Sequence, residues 1–254
     1  YLLMSIITLD DFIVQFKKIK KMGWIKTHRS GNTGVGKTLE DLLGITENNI
    51  QGPDFGNYEL KSGRSNSNSM LTLMTKSPEP PKSNKMLVNK FGYYSPKSKD
   101  KGKKVLHTTL KVGVDTEIYN TGNTLRPEYM EELETIHGPL QALTIISNFG
   151  LEEVYWPIET FKELISKKLG NEFVYVKADS RGKGANEEFL YKEAYLLKGI
   201  DSNNITDLIK KGIMYIDIRI GQYADGSCHD HGTGFRIKEC DQHYLYTNKI
   251  RLDE

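Results

Sequence analysis

The stretch Pro53-Asp54-Phe55-Gly56-Asn57-Tyr58-Glu59-Leu60-Lys61 decides how this chain is read. It sets a Pro-Asp pair four residues ahead of Glu-x-Lys. Glu59 and Lys61 stand two apart, so on a strand over 58–62 both leave the same face, and Leu60 points to the opposite, core-facing side. Gly52-Pro53 and Gly56-Asn57 punctuate the approach, and the turn they predict can bring the Asp54 carboxylate beside that of Glu59. Two hard oxygen donors placed this way suit Mg²⁺, which takes one or two carboxylates and keeps several waters; the Leu60 carbonyl remains available to the same ion. A lysine alongside can position, or help deprotonate, a water aimed at phosphorus. The plain alternative is a half-exposed strand whose charges face solvent, because D…ExK is short enough to recur by chance.

The surroundings favour chemistry. Glu40 falls on a short helix predicted over 37–43 and offers a third carboxylate. His28 and Arg29 lie on one side in sequence, and on the other the stretch Lys82–Lys104 holds eight lysines against one acid, Asp100. A local excess of positive charge suits a polyanion, since phosphate contacts release counterions and supply sequence-independent affinity. The competing reading is a solvated lysine-rich loop.

Outward from this centre, Thr8–Met22 reads as a helix, with Phe12, Ile13, Phe16 and Ile19 at helical spacing and a Thr8/Asp11 capping box. Residues 77–104, rich in Pro, Lys and Ser, predict a long surface loop. Strands over 71–74, 142–146, 173–178 and 214–220 alternate with helices over 159–169 and 205–211, which predicts an α/β fold with a central mixed sheet. The 254 residues, 27% charged and 37% hydrophobic, describe a globular chain. No run nears the roughly 18 apolar residues of a membrane span, which excludes integral membrane function. The opening YLLMSIITL lacks the basic leader and cleavage site of a secretory signal, and a start at Tyr1 leaves room for a domain upstream. Two cysteines, Cys228 and Cys240, make no disulfide framework and fit a reducing cytoplasm.

Two further motifs need weighing. Gly31-Asn-Thr-Gly-Val-Gly36-Lys37-Thr38 satisfies the GxxxxGK[ST] pattern of nucleotide hydrolases. That loop works between a buried parallel strand and a helix N-terminus, and the preceding KKMGWIKTHRS is no such strand. Near the C-terminus, Asp217 and Arg219 alternate with Ile216, Ile218 and Ile220, and Cys228-His229-Asp230-His231 and Arg236 follow. With Cys240 these residues form no paired zinc-ligand spacing. Base readout fits better, because Arg commonly reads guanine O6 and N7 and Asp accepts from cytosine N4.

Taken together, GNTGVGKTLEDLL, PDF…YELKS, SMLTLMTKSP, DIRIGQY and HDHGTGFRI resemble the MvaI/BcnI family of type II restriction endonucleases, relatives of the mismatch-repair nicking enzyme MutH. The blocks keep their order from about Gly23 to Lys238, and the match is weakest over Gly113–Gly150. The resemblance implies a restriction-endonuclease-like fold: one domain over 1–254, a mixed central sheet flanked by helices, and two lobes forming a DNA-binding cleft. The catalytic lobe is expected mainly at about 1–110 and the recognition lobe at about 111–254. It implies a PD-(D/E)xK nuclease in which Asp54 and Glu59 ligate Mg²⁺, Lys61 positions the water and Glu40 supports the site. Asp217, Arg219, His229, Asp230, His231, Arg236 and Lys37 would contact DNA. The expected reaction is hydrolysis of double-stranded DNA at a short CC/GG-containing site, leaving 5′-phosphates. The expected setting is a monomer in the bacterial cytoplasm with a cognate DNA methyltransferase as counterpart. A MutH-like strand nicker and a non-catalytic DNA-binding module remain as alternatives.

Overall fold

The computed structural model describes residues 8–46, 53–65, 70–97, 101–170, 172–223, 225–230 and 232–254. Its elements begin with α1 (Leu9–Lys21), β1 (Ile25–Lys26), α2 (Gly34–Leu43), β2 (Glu59–Arg64), β3 (Met70–Thr75), α3 (Ser83–Phe91) and β4 (Tyr93–Tyr94). Then come β5 (Lys104–Lys111), β6 (Thr116–Glu117), β7 (Thr124–Leu133), β8 (Leu140–Ser147), β9 (Gly150–Pro157) and α4 (Ile158–Leu169). The chain closes with β10 (Glu172–Arg181), β11 (Glu188–Lys198), α5 (Asn204–Lys210), β12 (Tyr215–Gln222), β13 (Cys228–Asp230), β14 (Gly234–Lys238) and β15 (Asn248–Arg251).

The class is mixed α/β, as expected, but the strands of the described residues form three sheets rather than one central sheet. The first runs β1-β11-β10-β2 with β15 beside β11, the second β3-β14-β12-β5-β4 with β13 on β12, and the third β6-β7-β8-β9. In the first, β2 pairs parallel with β10 while the other pairings are antiparallel, so this sheet is the mixed one.

The chain divides into two compact units: residues 1–71, 165–201 and 238–254, and residues 72–164 and 202–237. The division expected near residue 110 runs along the sequence, and each of these units combines separate stretches of it. A parallel pair needs a crossover between its strands, and here the path from β2 to β10 passes through most of the second unit. The strand that carries Glu59 and Lys61 and its sheet partner are therefore neighbours in space and far apart in sequence.

In the first unit, α1 contributes Phe12, Phe16 and Ile19 and α2 contributes Val35, Leu39 and Leu43 to a core shared with the first sheet. The Thr8 hydroxyl accepts from the Asp11 N–H at 3.1 Å and the Asp11 carboxylate accepts from the Thr8 N–H at 3.0 Å, the expected capping box. Gly63 on β2 lies directly under the hydroxyl of Tyr175, and an added methyl would run into it. Tyr175 is 2% exposed and cannot simply swing into solvent. Gly63→Ala should therefore cost about 1–3 kcal/mol, the usual penalty of overpacking. Thermal unfolding checks this, and an unchanged melting temperature would show that Tyr175 has room to move.

In the second unit, Phe235 of β14 packs edge-on to Trp156 of β9 at 5.5 Å and against Phe161 of α4 at 4.6 Å. The long surface loop expected over 77–104 is corrected here, because it contains α3. Leu87, Val88 and Phe91 are fully buried on one stripe of that helix. Their spacing is helical, but the lysines, prolines and serines around them mask it in composition. The Gly113–Gly150 stretch contains β6, β7 and β8 of the third sheet.

Candidate active site and DNA-reading surface

The candidate triplet Asp54, Glu59 and Lys61 is built by a turn and an edge strand. Phe55 and Tyr58 exchange backbone hydrogen bonds of 3.1 and 2.8 Å, closing a tight turn at Gly56, whose φ of +51° favours glycine. Phe55 anchors that turn by stacking on Phe12 at 5.5 Å. The reversal carries Asp54 back along β2, where its Oδ2 accepts from the Leu60 N–H at 2.7 Å. A strand residue's N–H and C=O leave the same edge, so the Leu60 carbonyl opens on the side where Asp54 stands. β2 ends the strand order of its sheet.

Glu59 is 4% exposed, and its Oε1 lies 2.5 Å from Lys61 Nζ. The expected same-face pair is therefore formed. A buried carboxylate is costly unless paired with a cation, and here one partner is the ammonium two residues on. Glu40 sits on α2, where its Oε1 and the Ser62 Oγ both flank Gly36, at 3.7 and 3.6 Å from where a Cβ would stand. Ser62 Oγ is buried with no hydrogen-bond partner. The sequence reading missed this hydroxyl, since a serine after Lys61 carries no signal of its own.

The donors that fit a hard divalent cation are the Asp54 and Glu59 carboxylates and the Leu60 carbonyl. Among the described residues no group of three or more His, Cys, Asp or Glu side chains is arranged to hold a metal. Two carboxylates plus a backbone oxygen match a cation that retains waters, as Mg²⁺ does.

The glycine-rich stretch is no phosphate cradle. What precedes α2 is β1, a two-residue strand antiparallel to β11. The carbonyls of Gly31 and Asn32 are turned to Arg64, accepting from its guanidinium at 3.0 and 3.1 Å, and Arg64 is held in turn by Glu187. Lys37, expected at the DNA, pairs with Asp41 at 2.8 Å, and His28 Nδ1 lies 2.9 Å from the same carboxylate. Burial pushes the Asp41 carboxyl up, but the hydrogen bonds from Lys37 and His28 outweigh it and hold it below the usual carboxylate range.

In the second unit the candidate DNA-reading residues gather around one buried carboxylate. Asp217 on β12 is 3% exposed. Its Oδ1 accepts from Thr109 Oγ1 at 2.7 Å and lies 2.8 Å from Arg219 Nη2, while its Oδ2 lies 2.8 Å from Arg236 Nη2. Both oxygens are engaged, which places Asp217 to aim two guanidiniums. Arg219 and Arg236 keep side-chain exposures of 42% and 26% and are the groups presented outward. Arg236 Nε is buried without a partner.

His229 on β13 stands opposite Gly221, its ring edge-on to Tyr223 at 5.9 Å. Asp230 is placed by its backbone opposite Ile220. His231 lies outside the described residues. Arg219 and His229 share an open basin of about 520 Å³ with His107, Lys97, Lys103 and Tyr223 among its walls, and no carboxylate of the described residues lines it. The two lysines belong to the lysine-rich stretch noted in the sequence. His107 was missed because β5 was not anticipated.

Comparison with known proteins bears on both arrangements. The sequence model of the MvaI/BcnI restriction endonuclease family matches residues 13–246. Among solved structures, that of restriction endonuclease MvaI in complex with its cognate DNA substrate is similar to this chain at 28% identity and a TM-score of 0.78, over 96% of this chain and 98% of that one. MvaI in the absence of DNA is similar at 27% identity and a TM-score of 0.53, over 97% and 100% of the two chains. No curated protein matches.

Proposed function

We propose, from the premise that this chain belongs to the MvaI/BcnI restriction endonuclease family, that it is a Mg²⁺-dependent type II enzyme cutting double-stranded DNA at a short CC/GG-containing site and leaving 5′-phosphates. Family membership makes it a site-specific endodeoxyribonuclease; the metal, the site and the products are our reading. The observation that carries it is the turn at Gly56, which delivers Asp54 to the Leu60 N–H beside the buried Glu59–Lys61 pair.

Asp54, Glu59 and the Leu60 carbonyl would hold the Mg²⁺, which when bound supplies Lewis-acid stabilisation of charge at the scissile phosphate. The chain's own residues do the rest. Glu59 holds the Lys61 ammonium in place, and that ammonium orients a water for in-line attack at phosphorus and offsets the charge that develops there. Glu40, across Gly36 from Ser62, supports the site from α2. Arg219 and Arg236, aimed by Asp217, present donors suited to guanine O6 and N7. His229, with Asp230 and His231 next to it in sequence, completes the reading surface. Lys37, paired with Asp41, is assigned to holding α2 rather than to the DNA. A monomer in a bacterial cytoplasm, with a methyltransferase protecting the host's own sites, is the setting we propose for such an activity.

Digestion of a long defined DNA with Mg²⁺ and with EDTA, followed by mapping of the ends, tests this. Discrete Mg²⁺-dependent fragments whose 5′-phosphate ends share a CC…GG-type site are expected. Nicks alone would replace the reading with a MutH-like one. Intact DNA under both conditions would leave a DNA-binding module.

A further inference from the structure

We infer that His107 is a specificity-determining residue, an imidazole that reads the edge of a base pair beside the one contacted by Arg219. The inference rests on the endonuclease reading above and adds to it a residue from a different strand. In the antiparallel pairing of β5 with β12, His107 stands directly opposite Arg219, and the next pair on the same face is Thr109 with Asp217. Directly opposed residues project from one face with their Cβ atoms about 4.5–5.5 Å apart. His107 and Arg219 therefore rise side by side, flanked on the same face by Thr109 and Asp217, which are hydrogen-bonded to each other.

One step further along that face is Gly221, paired with Val105 on one side and with His229 on the other. A Cβ on Gly221 would meet nothing within 4 Å, so the floor between the rings is open rather than packed. His107, Arg219 and His229 are thus presented from three adjacent strands into one basin whose walls, among the described residues, carry lysines and no acid. Such a surface suits an acceptor-rich polyanion. The guanidinium fork matches two acceptors on one guanine, while a single imidazole can make one hydrogen bond to a neighbouring base, donating to N7 or O6 or accepting from an amino group.

The structural alternative is that His107 only fills space between β5 and the basin wall. The two are separated by measuring kcat/KM of the unaltered protein and of His107→Ala on the cognate site and on every singly substituted site. The expected result is a fall of about 10-fold in discrimination at one base-pair position and its symmetry mate, with the other positions unchanged. His107→Asn, which keeps a hydrogen-bonding group, is expected to retain part of the lost discrimination and serves as the readout if the alanine variant does not fold. Equal discrimination at every position, or a uniform loss across all sites, overturns the inference. If the unaltered protein gives no site-specific fragments, the endonuclease reading fails, and that outcome is visible before any variant is compared.

Discussion

Glu59→Ala is expected to reduce Mg²⁺-dependent cleavage by about 10³-fold or more, because a metal-assisted step loses several kcal/mol of transition-state stabilisation and each 1.36 kcal/mol is tenfold in rate. Two groups fail together. One of the two carboxylates at the site is gone, and Lys61 loses the partner 2.5 Å away that fixes its ammonium. Binding to the specific site should persist, since the guanidiniums and imidazoles proposed to read bases stand on β5, β12, β13 and β14. Folding should persist too: Glu59 is a buried carboxylate beside Asp54, and removing such a charge relieves desolvation, while Lys61, with 18% of its side chain exposed, can turn to water. Single-turnover cleavage, a binding titration and a melting curve on the same preparation check the three parts. A variant that cuts at the normal rate would remove Glu59 from the mechanism.

The second large effect is expected at Asp217→Asn, and it differs in kind. The amide keeps the shape but not the charge, leaving Arg219 and Arg236 side by side without the carboxylate that separates and neutralises them. Breaking a fully buried pair costs about 3–5 kcal/mol; both arginines are part-exposed, so about 2 kcal/mol of stability is the expected loss. The functional loss should exceed the stability loss, because two base-reading groups are misaimed at once. Cleavage of the cognate site should fall steeply while non-specific DNA binding, carried by phosphate contacts, changes little. Parallel losses of specific and non-specific binding would show that Asp217 serves the fold alone.

These two residues mark how far the sequence could be read. Glu59 and Lys61 were legible because their relation is local: a two-residue spacing on a strand dictates a shared face. The capping box at Thr8 and Asp11 was legible for the same reason, as was the mismatch between the GxxxxGK[ST] pattern and its surroundings. Asp217 was legible as a polar residue on a strand with an apolar opposite face, but its partners were not. Its partners come from Thr109 on β5 and Arg236 on β14, and only the pairing of those strands with β12 shows that its oxygens are already committed. His107 had no local signal at all, and α3 hid its buried stripe among lysines.

By itself the sequence determined the strand that sets Glu59 and Lys61 on one face, the turn that brings Asp54 back to it, the mixed α/β class and the family, because each rests on spacing or on ordered blocks along the chain. The tertiary structure alone decided that the strands form three sheets, that β2 meets β10 only after the chain has built most of another unit, and that an anchor aspartate, two arginines and two histidines converge on one face. Several of those relations, β2 with β10 and His107 and Thr109 with Arg219 and Asp217, join residues more than a hundred positions apart; they are set by strand pairing and burial, and no local pattern encodes which distant edge a strand will choose.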